Sequence, residues 1–269
     1  MRIESVTDIP IRRQISQSFG QMNRNLERLA SGRRLVSGAD GPAALAISER
    51  LRAQIGSLEQ ASRNVDHGVS LGQLADSALA NQGELLGRMQ ELAIQSANGT
   101  LGDEERAAIQ QEYGELSAEV DRIAATTTWG ETQVLDGGSH EIQVGTSGGA
   151  GATVAISTPA STMASMGLSG VNLLTAQDAA SALGPLQDAM GAVAHGRGTV
   201  GASINRLEST HDTLAATREH TAAAYSRMAN ADVATETSQL ALNRNRLRAG
   251  VAILEHGGAV KGQLLSRLL

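Results

Sequence analysis

Two glycine motifs and six histidines are the places where this sequence could do chemistry. Gly196-Arg197-Gly198-Thr199-Val200-Gly201 satisfies GxGxxG, and Glu219 lies at about the distance of a ribose-binding acid. A dinucleotide site needs a strand before that turn and a buried helix start after it. Here Leu183 to His195 is Ala-rich and helical in pattern, so the glycines read as loosening or tightly packing a helix. Gly145-Thr146-Ser147-Gly148-Gly149 fits GxSxG, whose serine must sit on a strand-to-helix elbow. The serine is succeeded by a Gly- and Ala-rich stretch and another alternating run, which reads as the tip of a hairpin. His67, His140, His195, His211, His220 and His256 include no HExxH and no pair at i, i+4, the spacing that would put two ligands on one helix face. The expectation is no catalytic residue, no cofactor and no metal, with His211 a tolerated polar layer in an apolar seam.

Composition narrows the field further. Phe19, Tyr113, Trp129 and Tyr225 are the whole aromatic complement of 269 residues, too few for a large core built around rings. Apolar content of 41% comes mostly from Ala, Leu, Val and Ile, which suits thin helical bundles. The net charge of -6 argues against a general grip on nucleic acid, which depends on Lys and Arg. Lys261 is the single lysine, so Schiff-base chemistry and a Walker phosphate loop lose their central residue. The absence of Cys removes disulfides, thiol nucleophiles and cysteine-ligated metals. The opening MRIESVTDIPIRRQ has scattered charge and no apolar h-region. No apolar run approaches the roughly 18 residues that cross a bilayer. The chain is expected to make no membrane contact, and to leave the cell, if it does, by a route that reads neither feature.

The elements that would position any site are long helices. From Ala43 to about Asn98, Leu51, Ile55, Leu58, Ser62, Val65 and Val69 alternate steps of four and three, and Leu85, Met89 and Leu92 resume the alternation. Gly68, Gly72 and Gly83 should weaken this helix locally. After a stop at Asn98-Gly99-Thr100, a second helix runs from about Asp103 to Thr126, with Ile109, Leu116, Val120 and Ile123 on one face. Three acidic residues, Asp103 to Glu105, favour its first turn. Glu141 to Val144 and Ala152 to Ile156 alternate about the Gly-rich segment and predict a β-hairpin. Helical pattern returns from about Ala176, with Val200, Ile204, Leu207, His211, Leu214, Arg218, Thr221, Tyr225 and Met228 in phase, and again from Val233 with Leu240, Leu247, Val251 and Leu254. The chain goes out as long helices, turns through a small β element and comes back. Its two ends should lie side by side, each with an apolar seam that one chain buries only partly, which points to association with another copy or partner.

Several segments resemble bacterial flagellin, in the expected order and across nearly the whole chain. They are NLERLASGRRLVSGADGPAALAISERLRAQI from Asn25 to Ile55, LEQASRNVDHGVSLGQLADSAL from Leu58, LLGRMQELAIQSANGT from Leu85 and IQQEYGELSAEVDRIAATTTW from Ile109, with IQVG at Ile142. VGASINRLESTHDTLAAT from Val200, YSRMANADVATETSQL from Tyr225 and the closing LLSRLL complete the set. Ile9-Pro10 with Arg12-Arg13, and AILEHGGAVKG from Ala252, depart from the family's usual openings and closings. The span from Trp129 to Ala176 is short, as in a minimal flagellin that lacks variable outer domains.

The resemblance implies a mainly α fold: a long helical hairpin and coiled-coil bundle with a small β-hairpin, divided into an inner core and an outer-tube domain. Residues 1–41 and 233–269 would form the terminal coiled coil, disordered in the free subunit, and 42–232 the outer-tube domain with its hairpin at about 130–175. It implies a non-enzymatic subunit that self-assembles into the extracellular flagellar filament for swimming. Export would proceed through the type III apparatus without a cleaved signal peptide, and a chaperone and the filament cap and junction proteins would be partners. The assembly residues expected are Leu51, Ile55, Leu58, Val65, Leu85, Met89, Leu92, Ile204, Leu207, Leu214, Leu247, Val251, Leu254, Leu264 and Leu265. Arg88, Leu92 and Glu119 match positions that engage the innate-immune Toll-like receptor in some flagellins. Alternative readings are the hook–filament junction protein of the same superfamily and a long-helix scaffold or signalling module.

Overall fold

The computed structural model describes residues 8–146, 148, 149 and 151–268, with Asp8, Lys261, Gly262 and residues 264–268 as backbone alone. In chain order the elements are α1 (Asp8–Ser31), a 3-10 turn (Gly38–Asp40), α2 (Pro42–Ser96), α3 (Asp103–Thr126), β1 (Thr128–Trp129), β2 (Thr132–Gln133), β3 (Ser139–Gln143), β4 (Thr153–Ser157), α4 (Ala176–Ala229) and α5 (Val233–Leu268). Packing divides them into two units whose limits fall inside α2 and α4. One holds the described residues up to Ile55 and those from Glu219 onward; the other is Gly56–Arg218.

In the central unit α2 is the axis. Leu58, Ala61, Val65, Gly68, Gly72, Ala75, Leu79, Gln82, Leu86, Met89, Ala93 and Ser96 alternate steps of three and four and are all buried. This stripe differs in phase from the sequence expectation, which placed Ser62 and Val69 where Ala61 and Gly68 are buried. Ala and Gly carry little hydrophobic signal, yet they are the residues over which neighbours approach most closely. A Cβ at Gly72 would lie 2.7 Å from Ile204 Cγ1, and one at Gly68 would lie 2.9 Å from Ile142 Cγ1 and 3.1 Å from Leu207 Cδ1. Gly68 and Gly72 are therefore contact positions for the hairpin and for α4, a role beyond the local weakening expected of them. Across α2 and α4, Arg197 pairs with Asp76 at 2.8 Å and Arg218 with Glu59 at 3.8 Å, the numbering of an antiparallel pair.

Two buried polar side chains complete this unit. Gln82 donates through Nε2 to the carbonyls of Val120 and Ser161, at 3.1 and 3.0 Å, so its amide ties α2 to α3 and to the loop beyond β4. Arg106 donates to the carbonyls of Ser96, Leu101 and Asn98 at 2.8 to 3.0 Å. Those groups lie at the end of α2 and in the turn after it, where carbonyls lack intrahelical partners, and the guanidinium supplies donors for all three. β3 and β4 pair antiparallel, Ser139 opposite Ser157 through Gln143 opposite Thr153, close to the expected hairpin. The two-residue strands β1 and β2, turning at Gly130 with φ +62, carry too short an alternation to be read from sequence.

In the terminal unit α1 and α5 pair antiparallel along heptad seams. Ile11, Ile15, Ser18, Met22, Asn25 and Leu29 of α1 face Glu236, Leu240, Asn243, Leu247, Gly250 and Leu254 of α5; all are buried or half-buried. Ile15 lies so close to Gly250 that an added Cβ would be 2.9 Å away. Near the start of α5 the seam turns polar. Buried Asn25 donates to Glu236 and Gln239 and accepts from Asn243. Arg28 reaches Glu236 at 3.3 Å and Asp40 at 2.8 Å. Asp40 also accepts from the Ser37 and Val36 amides, so the 3-10 turn is latched onto α1. The links on either side are joined as well: the Arg34 amide donates to Ala229 and the Ala231 amide to Gly32. Asp232 caps α5 by accepting from the Ala234 and Thr235 amides.

The close approach at Gly72 and the latch at Asp40 both have measurable consequences. Gly72→Ala should destabilise the chain by about 1–2 kcal/mol, because the overpacking at Ile204 outweighs the gain in helix propensity. Gly87→Ala, with open space around its Cβ, should instead gain up to about 1 kcal/mol; urea unfolding of the two variants checks the opposite signs. The Ser37 amide, and then Arg28, hold the Asp40 carboxyl at about 2, down from 3.8. A carboxyl lowered on folding stabilises the fold fully above its unfolded value and loses that contribution as pH falls towards its folded one. The Asp40 latch should therefore persist at pH 4 and fade towards pH 2, and Asp40→Asn should remove this part of the acid-unfolding profile.

Candidate assembly surface

The two units place the expected assembly residues very differently. Leu58, Val65, Met89, Leu92, Leu207 and Leu214 are buried within the central unit, so their apolar surface is already covered by the chain itself. Leu51, Ile55, Leu85, Ile204, Leu247 and Leu254 are half-buried; Leu247 and Leu254 lie in the seam against α1. Val251 is off that seam, 42% exposed, and Gly250 takes the contact position instead. The side chains of Leu264 and Leu265 lie outside the described residues.

Exposed large apolar side chains gather on the terminal unit, and their spacing is regular. On α1, Ile9, Arg12, Ser16, Phe19, Asn23, Leu26 and Ala30 step by three and four and all are exposed, Phe19 by 51%. On α5, Leu242, Arg246, Ala249, Ile253, His256 and Val260 do the same, and Ile253 is 56% exposed. Each helix thus carries a second heptad stripe beside the one its partner fills. The expected seam residues omitted these stripes, although Phe19 to Leu26 and Ile253 to Val260 are each seven apart in the sequence. Apolar stripes of this kind mark association surfaces. In the central unit the exposed counterparts are Ile94, Trp129 and Leu174; Trp129 meets His67 edge-on at 6.4 Å.

The remaining motifs resolve into packing. GxGxxG lies inside α4, with no strand before it; Gly196 makes room for Pro159, whose Cγ would be 2.5 Å from an added Cβ. GxSxG lies in the connection between β3 and β4, and Ser147 itself is outside the described residues. His211 is half-buried with Nε2 3.6 Å from Asp66. Arg88 binds Glu112 on α3 and Glu91 on its own helix, whereas Glu119 pairs with Arg122 three residues on. At 1% exposure Leu92 presents no surface to a receptor. Burial pushes the Tyr113 phenol up to about 12. Among the described residues no cluster of His, Asp and Glu has metal-holding geometry, and no helix is long and apolar enough to cross a membrane.

Comparison with known proteins agrees with this architecture. The family model of the bacterial flagellin N-terminal helical region matches residues 6–140, and that of the C-terminal helical region matches 183–268. Flagellin of Halalkalibacterium halodurans is 33% identical over 249 residues, covering 90% of each chain. The flagellar filament 33 kDa core protein of Treponema phagedenis is 32% identical over 263 residues, 92% of each. The crystal structure of Bacillus cereus flagellin superimposes with a TM-score of 0.51 at 29% identity, over 56% of this chain and 88% of that one. A Vibrio parahaemolyticus structure described as a putative flagellar hook-associated protein shares the fold, with a TM-score of 0.60 at 16% identity over 71% of this chain and 100% of that one. Between α3 and α4 the described residues form two small hairpins and a loop pinned by Gln110 and Asp121. With long helices on either side of that short β region and both terminal helical regions matched, the chain belongs to the flagellin family and is a minimal member of it.

Proposed function

We propose that this chain is a structural subunit of the bacterial flagellar filament and assembles as a helical homopolymer through its α1/α5 unit. The observation that carries this reading is the second heptad stripe on each of those helices, exposed in the single chain. A monomeric bundle has no use for a second apolar stripe on both partners of a completed pair. A neighbour that covers it with a different surface makes a heterologous contact, and heterologous contacts that do not close produce a helical filament.

The two parts of the chain divide the work. Residues 1–41 and 233–269 act as the inner coiled coil and gain order from neighbours; 42–232 act as the outer-tube domain. Ordering the terminal helices costs conformational entropy that is offset only when their stripes are covered, so growth is cooperative and favours existing ends. Nothing in this role requires bond-making chemistry, and the chain works as a non-enzymatic extracellular polymer. An export chaperone, type III export and the cap and junction proteins at the filament ends belong to the same reading. The Toll-like receptor contact is reduced to Arg88 and Glu119.

Seeded polymerisation tests the proposal. The full chain should elongate seeds into filaments visible by negative stain, and a chain ending at Asp232 should not. Ile253→Asp, a change on an exposed stripe, should alter the stability of the free chain by no more than about 0.5 kcal/mol and yet block elongation. Filaments from the truncated chain would remove the terminal unit from assembly. No filaments from the full chain under any seeding condition would favour the junction-protein reading.

A further inference from the structure

The charge of this protein is unevenly divided. The terminal unit holds fifteen Lys and Arg against nine Asp and Glu, a net +6, and the central unit seven against nineteen, a net -12. Within the terminal unit the positive charge has a focus. A cleft of about 380 Å³ opens between α1 and α5, lined by Arg24, Arg28 and Arg246, by the carboxamides of Gln21, Asn25, Gln239 and Asn243, and by Leu242. No carboxylate lines it. Arg28 is neutralised from outside the cleft by Asp40 and Glu236, whereas Arg24 and Arg246 have no ion-pair partner among the described residues. Gln239 accepts from Asn25 through Oε1, which leaves its amide N–H groups to donate.

We propose that this cleft binds an oxyanion, held by the forks of Arg24 and Arg246 with amide donors beside them. Guanidinium groups match a carboxylate or phosphate with paired hydrogen bonds, and three of them on a lining without a carboxylate favour such a group. Position supplies the reason for it. Arg246 stands on the second stripe of α5, between Leu242 and Ala249, so a neighbour that covers the stripe takes this cation out of water. An unpaired buried charge opposes burial strongly, so the stripe can be covered only if an anion comes with it. The anion is either a glutamate or aspartate of the second copy or a free inorganic phosphate. The role in assembly rests on the filament reading; the binding itself does not.

The first test uses the full chain at a concentration that forms no filaments. Sodium phosphate replaces sodium chloride at constant ionic strength, and proteolytic cleavage within α1 and α5 is monitored. A ligand that binds only the paired helices stabilises them by mass action. Cleavage should slow several-fold for the native sequence and be unchanged for Arg24→Gln/Arg246→Gln. Arg24→Lys/Arg246→Lys keeps the charge without the forks and should lose most of the protection. Circular dichroism in chloride should show that both variants keep the helicity of the native chain. Equal protection in all three proteins, or none in any, overturns the site. Seeded elongation then separates the sources. Phosphate that speeds growth of the native chain alone assigns a free anion, and phosphate that slows it alone assigns a carboxylate of the second copy. An equal effect on native and variant chains would be ordinary salting-out and would remove the cleft from assembly. Failure of every chain to elongate would count against the filament reading and leave the protease result to decide the site.

Discussion

A helix can bury only as many stripes as it has neighbours, and the rest of this structure depends on that constraint. In the central unit α2 meets α3 on one flank and α4 and the β3–β4 hairpin on the other, so its buried surface is broad and continuous from Leu58 to Ser96. Close approach leaves little width for side chains: a Cβ at Gly68 or Gly72 would crowd its neighbours, and Ala61 and Ala75 are buried on the same stripe. Among the described residues of the terminal unit, α1 and α5 pack along each other's length. Each fills one stripe and exposes another, so apolar surface is left in water along both helices.

Apolar stripes alone specify register poorly, because a seam of similar residues can slip by a heptad. Polar groups placed within the stripes remove that freedom. Asn25, Glu236 and Asn243 satisfy one another only in the observed antiparallel alignment, and Arg28 extends the same network to Asp40 in the turn after α1. Gln82 does the corresponding task for α2 by finding two carbonyls at once, and Arg106 fixes the α2–α3 turn through three. Displacing any of these pairings would leave further buried donors or acceptors without partners, a cost that the observed alignment avoids.

Much of this was legible beforehand. The bounds of α3 appear in the sequence as an acidic first turn and a stop at Thr126, and α2 ends within two residues of the expected Asn98. The hairpin is foretold by alternation on both sides of a glycine run. Less legible were the features made by small or polar residues. Ala61 and Gly68 look neutral in a hydrophobic pattern but face neighbours, whereas Val69 looks apolar and lies at the stripe's edge. The pattern of α5 suggested Val251 in the seam, where Gly250 sits against Ile15. Asp40 stands in a run noted for its resemblance, and only its distance from Arg28 identifies it as a latch.

From its sequence alone the chain was determined to be a set of long helices flanking one small β element, with an apolar seam on the helix at each end. Helical period, proline scarcity and glycine punctuation are local properties, and they act before any two segments meet. Which stripe is covered, which cations are neutralised and which polar groups pair were decided by tertiary structure. These depend on distances between residues more than two hundred positions apart, such as Asn25 and Glu236. A sequence pattern supplies a helix with faces; only the approach of a second helix determines which of those faces leaves water.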